Sequence, residues 1–357
     1  MRRFLRSSRT LAAAALLGFG AAACSDSSPD TFDPAGLQAD VTAATRALES
    51  QGFQSFEAVG ADVDAVLGAP YIAPVTEALR STGGVLSADA AQRILDRASA
   101  RAQRPAIAAA TIPQALLGKT LEWSTAQNRY VVGTRTGAPA NGVRFLLYAV
   151  DPATRRPVAP LNELGYADFT RTVTGQSANA RVVAVSQGLT FLDYSVTVAG
   201  TVTTPSVTVE GFVTDGTDRL NFNLSGAVDV QAQTVTVDYR ADVPTRDLSS
   251  RILVGLDGQT GVIDLDGTLA SPNGEVAMQG SLSATDGGEV TVRVNGDVFA
   301  VITVPAEGDL TITKEDGTAL TPAEQQALRQ IFEWFEEAFD FFEDLLDPVE
   351  TLLDLAY

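Results

Sequence analysis

The sequence predicts a mainly β protein of the α+β class: a large curved antiparallel β-meander with N-terminal helices before it and a C-terminal amphipathic helix packed on the sheet. Three observations carry this. Apolar residues alternate with period two across residues 118–313. Turn signals interrupt that alternation at spacings of about 8 to 14 residues. On both sides of the region the apolar period lengthens to that of a helix. With 357 residues, 45% of them apolar, the chain is long enough to bury a sizeable core.

Residues 1–23 come first. Arg2, Arg3, Arg6 and Arg9 precede an apolar stretch from Leu11 to Phe19 and then small residues, the three-part pattern of a secretory signal. The apolar run is shorter than the about 20 residues a permanent transmembrane helix needs. Ala21-Ala22-Ala23-Cys24 resembles the lipobox of bacterial lipoproteins, with Ala21 where leucine is usual. That resemblance implies cleavage before Cys24, a diacylglycerol on its sulfur and an acylated new amino group. Cys24 is the only thiol in the chain. Residues 24–35 continue as a Ser/Asp/Pro-rich stretch with little to bury, the composition of a flexible tether. Ser25 in place of aspartate resembles the sorting pattern that sends such lipoproteins to the outer membrane.

Residues 36–112 read as helical. Leu37, Val41, Ala44 and Leu48, then Phe53, Phe56, Val59, Val63 and Leu67, recur at three- and four-residue spacing with a break near Gln51-Gly52. A second helical run starts at Ser87, a good N-cap, and heads toward Pro105.

Across residues 118–313 the strands are plain. Val235, Val237, Tyr239, Ala241 and Val243 share one face, as do Val290, Val292 and Val294. Gly175-Gln176, Gln187-Gly188, Asp215-Gly216, Asn273-Gly274, Asp286-Gly287-Gly288 and Asn295-Gly296 mark turns. No helical period interrupts them, so there is no βαβ unit and no basis for a parallel sheet. A sheet of more than about ten strands must curl, split or close; a half-barrel, a closed barrel and a sandwich all satisfy this. A transmembrane barrel is disfavoured, because the outward positions carry Thr, Ser and Asp where lipid demands an apolar band.

Residues 321–357 return to a helix. Thr321 is the N-cap, Pro322 the first helical residue and Glu324 completes a capping box. Leu328, Ile331, Phe332, Phe335, Phe339, Phe342, Leu346 and Val349 form one stripe, which reads as a cover for a face of the sheet. Ten acidic residues and one arginine, Arg329, fill the rest, the wrong polar face for adsorption to lipid.

The chemistry is defined mostly by exclusion. With no histidine and one cysteine, His relays, Ser-His-Asp triads, Cys-His nucleophiles and His/Cys metal sites are ruled out. Removing the four arginines of residues 1–23 leaves 21 basic against 44 acidic residues, a net charge near −23. Such a surface repels nucleic acid and anionic head groups alike.

One motif resembles an active site. Asp264-Leu265-Asp266-Gly267-Thr268 is similar to the nucleophile strand of haloacid dehalogenase-type phosphatases. The resemblance implies that Asp264 attacks phosphorus and Asp266 handles the leaving-group proton, with a lysine and Mg²⁺ beside them. That chemistry needs a parallel strand facing helix N-termini, whereas this copy lies amid antiparallel strand signals. The chain's two lysines, Lys119 and Lys314, lie in no strand-helix repeat. Asp-Gly-Thr also occurs at 215–217 and 316–318, so all three copies read as turn vocabulary, with 261–271 a strand running into a turn. An EF-hand fails too, since aligning Gly267 on the invariant glycine puts Val262 and Asn273 at the first and last ligand positions. Arg155-Arg156, between prolines, reads as a solvated loop.

The sequence therefore leads to a non-catalytic, lipid-anchored cell-envelope protein acting as a structural or interaction module, with Cys24 as the lipid attachment site and no catalytic, cofactor or metal residue. Its membrane contact is the covalent lipid and its partner another envelope protein. The alternative is a carrier or sensor of apolar ligands such as lipids, whose layout resembles the open half-barrels of periplasmic lipoprotein and lipid carriers.

Overall fold

Alternating side chains give each strand one apolar and one polar face, and in the computed structural model these faces align across a single sheet. The structure describes residues 46–67 and 112–329 except 176, 202, 284 and 307–309, together with Gly36, Ala39, Asp40, Thr42 and Phe332. The strands are β1 (Lys119–Ser124), β2 (Arg129–Val132), β3 (Gly142–Tyr148), β4 (Glu163–Thr174), β5 (Ser177–Ser186), β6 (Leu189–Gly200), β7 (Pro205–Thr214) and β8 (Arg219–Asp229). They continue as β9 (Thr234–Val243), β10 (Leu248–Asp257), β11 (Val262–Ser271), β12 (Gly274–Ser283), β13 (Gly287–Val294), β14 (Asp297–Val304) and β15 (Thr311–Thr313). From β3 to β15 every strand pairs antiparallel with its successor in one curved 15-stranded sheet.

One row of partners shows how the core is built. Ala180, Val196, Val209, Leu224, Tyr239, Ile252, Gly267, Met278, Val292 and Ala300 lie opposite one another across β5 to β14. All of them are buried. Burial pushes the Tyr239 phenol well above its ordinary range, so it stays protonated. The adjacent row, Thr170, Arg181, Ser195, Glu210, Asn223, Arg240, Arg251, Thr268, Ala277 and Arg293, faces outward and is polar almost throughout. Arg251 bonds Asp238 and Arg181 bonds Asp193, cross-strand pairs worth about 0.2–1 kcal/mol each, and Arg240 reaches the same Asp238 from within β9. The sheet does not close, because β2 and β15 are separate edges.

Two expectations need correction. β1 pairs with β3 in parallel, from Lys119↔Val143 to Leu121↔Phe145, so the β region is not wholly antiparallel. The β1–β2 hairpin places β2 outside β1, and the chain then crosses back through residues 133–141 without a helix. As expected, the helical period breaks near Gln51-Gly52: the bend is at Ser50, whose Oγ accepts the Phe53 N–H as a cap. The stretch 261–271 does not run into a turn at Asp266-Gly267-Thr268: β11 continues to Ser271. Gly267 faces the core between Ile252 and Met278, the smallest member of the row. The other two Asp-Gly-Thr copies are turns, in which Asp215 accepts from Thr217 N and Asp316 from Thr318 N.

Helix α1 (Gln51–Leu67) lies on the apolar face. Phe53, Phe56, Val59 and Val63 are at most 1% exposed. The Phe56 ring meets Phe169 at 6.2 Å and Tyr194 edge-on at 6.3 Å. Gly52 permits this approach, since a Cβ there would stand 3.3 Å from the Phe191 ring. At the C-terminus the capping box forms: Thr321 N and Oγ1 donate to Glu324 Oε2, and Glu324 N to Thr321 Oγ1. Leu328 is buried in the core, with Phe332 packed against it. The rest of the stripe, Ile331 and Phe335 to Val349, and the helix expected from Ser87 lie outside the described residues.

Candidate functional site

Cys24 and residues 1–35 lie outside the described residues. The structure shows how the chain beyond them is fixed to the sheet. Connections between successive antiparallel strands alternate ends, so the β3–β4, β7–β8, β9–β10 and β11–β12 connections share one end. The N-terminal segment bonds the β11–β12 and β3–β4 connections directly and packs beside β7 between them. Asn273, between β11 and β12, donates to Asp40 Oδ2 at 2.7 Å. Residues 46–49 then form a 3-10 turn on which Ala47 is buried. Helix α1 follows across the face of β6 to β3 and reaches β2.

Beside this path Asp218, 6% exposed, accepts from Arg246 Nη2 at 2.7 Å and Thr245 Oγ1 at 2.8 Å. Those bonds, with the charges of Arg246 and Arg46, hold its carboxyl below the usual aspartate range against the opposing effect of burial. A depressed folded pKa means stability that is present above the unfolded value and lost as pH falls through the folded one. Asp218→Asn should therefore cost about 2 kcal/mol at neutral pH. The gap to wild type should close as pH drops below about 3.9, which urea unfolding at several pH values would read.

Two ion pairs close the far end of the strap. Arg155 Nη1 meets Glu57 Oε2 at 2.8 Å, and Arg156 Nη1 bonds both oxygens of Asp62 at 3.0 and 2.8 Å. The Arg156 guanidinium also lies 5.5 Å from the Trp123 ring centre. Arg155-Arg156 is thus not simply a solvated loop but a two-point contact onto α1. The arginine side chains remain 45% and 41% exposed, so each pair is worth at most about 1 kcal/mol. Apolar burial holds the helix down, and the ion pairs fix its azimuth and register.

Asp264 and Asp266 stand elsewhere, exposed on the outer face of β11. Their strand partners are Gly255, Ser281, Leu253 and Gln279. Lys314 follows β15, four strands away, about 19 Å along the sheet. Lys119 is nine strands away in the other direction. No lysine or helix N-terminus is thus brought to the pair among the described residues. Asp264→Asn should shift stability by no more than about 0.5 kcal/mol, and purified protein with Mg²⁺ should hydrolyse no phosphomonoester. Turnover that Asp264→Asn removes would reinstate the phosphatase reading.

No family model, curated protein or solved structure matches this chain. The site therefore rests on its own residues. Sequence reasoning found the apolar stripe of α1 but not its polar partners, since Glu57 and Arg155 are 98 residues apart and Asp40 and Asn273 are 233 apart. The one available signal was a pair of arginines in a chain with few cations, at a loop joining two strands.

Proposed function

We propose that this is a lipid-anchored protein of the bacterial cell envelope, held through Cys24, at the outer membrane by the Ser25 pattern, and acting without catalysis as a structural or interaction module. The observation that carries the reading is the convergence of a cationic, an apolar and a small-residue segment on the chain's only cysteine. The strap supports it: Asp40, sixteen positions after Cys24, is among the described residues the first bonded to a strand connection. At about 3.3–3.6 Å per residue the sheet can stand up to roughly 55 Å from its anchor. A load on the tether passes to several strand connections and the buried face of α1, not to one edge strand.

The carrier alternative needs an unfilled apolar volume. Inner-face residues such as Val182, Val196, Val209 and Val292 are already fully buried. An open concavity of about 420 Å³ at β13 to β15 is lined by Glu289, Thr291, Arg293, Thr303, Lys314 and Glu315, a poor lining for acyl chains. Fractionation of cells carrying the full chain tests the anchored reading. The protein should stay with membranes through a high-salt wash and leave with detergent; release by salt alone would overturn it.

A further inference from the structure

The fold treats its two edges differently. Beyond β15 the chain turns back, Thr313 bridges Ala319 and Lys314 N donates to Thr318 O, which occupies part of that edge. Among the described residues no strand lies beyond β2. Gly133 N donates to Thr120 O at 2.8 Å, so residue 133 faces β1. Antiparallel alternation then turns Val131 and Arg129 toward β1, and the N–H and C=O of Tyr130 and Val132 outward. Val132 is 50% exposed, beside a cleft of about 290 Å³ lined by Leu116, Leu121, Tyr130 and Asp62. No proline or bulge blocks this strand, whose only edge protection is its four-residue length and Arg129.

We propose that a second copy of this chain adds its own β2 to this edge, antiparallel, about a two-fold axis through Val131. The inference deepens the interaction reading above and rests on it, but does not need the lipid. Of the registers that keep the outward groups paired, the one setting Tyr130 opposite Val132 of the second copy satisfies both residues on both strands, giving four hydrogen bonds. Registers centred on residue 130 or 132 pair only one of them inside the strand, because Asn128 is already in a turn with φ of 50°.

Charge fits the same register. It places Arg129 of one copy opposite Gly133 of the other, and the Glu122 carboxylate lies where a Cβ on Gly133 would be. Glu122 Oε1 has no hydrogen-bond partner, and its nearest cation is Arg135 Nε at 3.9 Å. Each arginine therefore arrives beside a carboxylate that Arg135, itself bonded to Glu163, approaches but does not hydrogen-bond. The axis runs normal to the sheet, so both copies carry α1 on the same side. Four residues per strand make a small contact, one that gains from the local concentration two anchored copies share.

The test is a disulfide across the axis. At a non-hydrogen-bonded pair the two Val131 Cα atoms would lie about 4.5 Å apart, within disulfide reach. Full-length Val131→Cys, oxidised in intact cells, should give a species of twice the monomer mass. The wild type, with Cys24 alone, and Thr236→Cys, exposed mid-sheet on β9, should not. Adding Val132→Pro, which removes an outward N–H and no bond to β1, should abolish the dimer. Should that variant fail to fold, Glu122→Lys decides, since it sets like charge against Arg129 and should sharply reduce cross-linking. No more dimer from Val131→Cys than from Thr236→Cys would overturn the proposal. An adduct of a different mass would overturn self-pairing too, while leaving the broader interaction reading in place.

Discussion

Replacing Phe56 by alanine should lower the unfolding free energy by about 3–5 kcal/mol, the range for truncating a fully buried phenylalanine. The ring has no exposed surface and is held by Phe53, Phe169 and Tyr194, so the cavity is walled by rigid aromatics that cannot collapse into it. Burial of Phe53, Phe56, Val59 and Val63 is worth about 1.5–3 kcal/mol each, set against about 5–15 kcal/mol for a whole domain. The strap is therefore a large share of the molecule's stability. Urea unfolding followed by tryptophan emission should report it, because Trp123 lies under Arg156, which is bonded to Asp62 of the same helix. A loss below about 1 kcal/mol would mean that α1 is not part of the core.

The same helix shows what the sequence discloses. Its apolar stripe is local, with each member three or four residues from the next, so spacing alone exposes it. The strands are legible for the same reason, and so are turns with glycine at the left-handed position, such as Gly188 with φ of 82° and Gly296 with φ of 91°. Turns in which Gln233 or Asp247 takes positive φ carry no such mark. The parallel pairing of β1 with β3 was hidden because its crossover is a short loop, not the helix that normally announces a parallel pair. Asp266-Gly267-Thr268 misled for a subtler reason. A glycine flanked by polar residues reads as a turn, but in β11 it is a core position where a small residue sits between Ile252 and Met278, and the aspartates beside it are the polar face of an ordinary strand. Asp62, Arg156 and Asn273 acquire their roles only when distant segments meet.

Replacing Cys24 by alanine should abolish incorporation of a fatty-acid probe and move the protein out of the membrane fraction. The variant keeps the cationic and apolar segments of residues 1–23 and loses only the sulfur that would carry the lipid. Among the described residues no helix is long and apolar enough to cross a membrane, and the outward rows of the sheet are polar. With 44 acidic residues the chain is repelled by anionic head groups, so adsorption works against retention. Each buried methylene of an acyl chain contributes about 0.8 kcal/mol, and one chain anchors only marginally whereas two or more anchor stably. Loss of the whole group should thus change partitioning by orders of magnitude. The fold should be unaffected, because among the described residues the first bond to a strand connection is made at Asp40, sixteen positions later. An unlipidated variant that unfolds in urea at the wild-type midpoint would separate attachment from architecture. Equal probe labelling of variant and wild type would remove Cys24 as the attachment point.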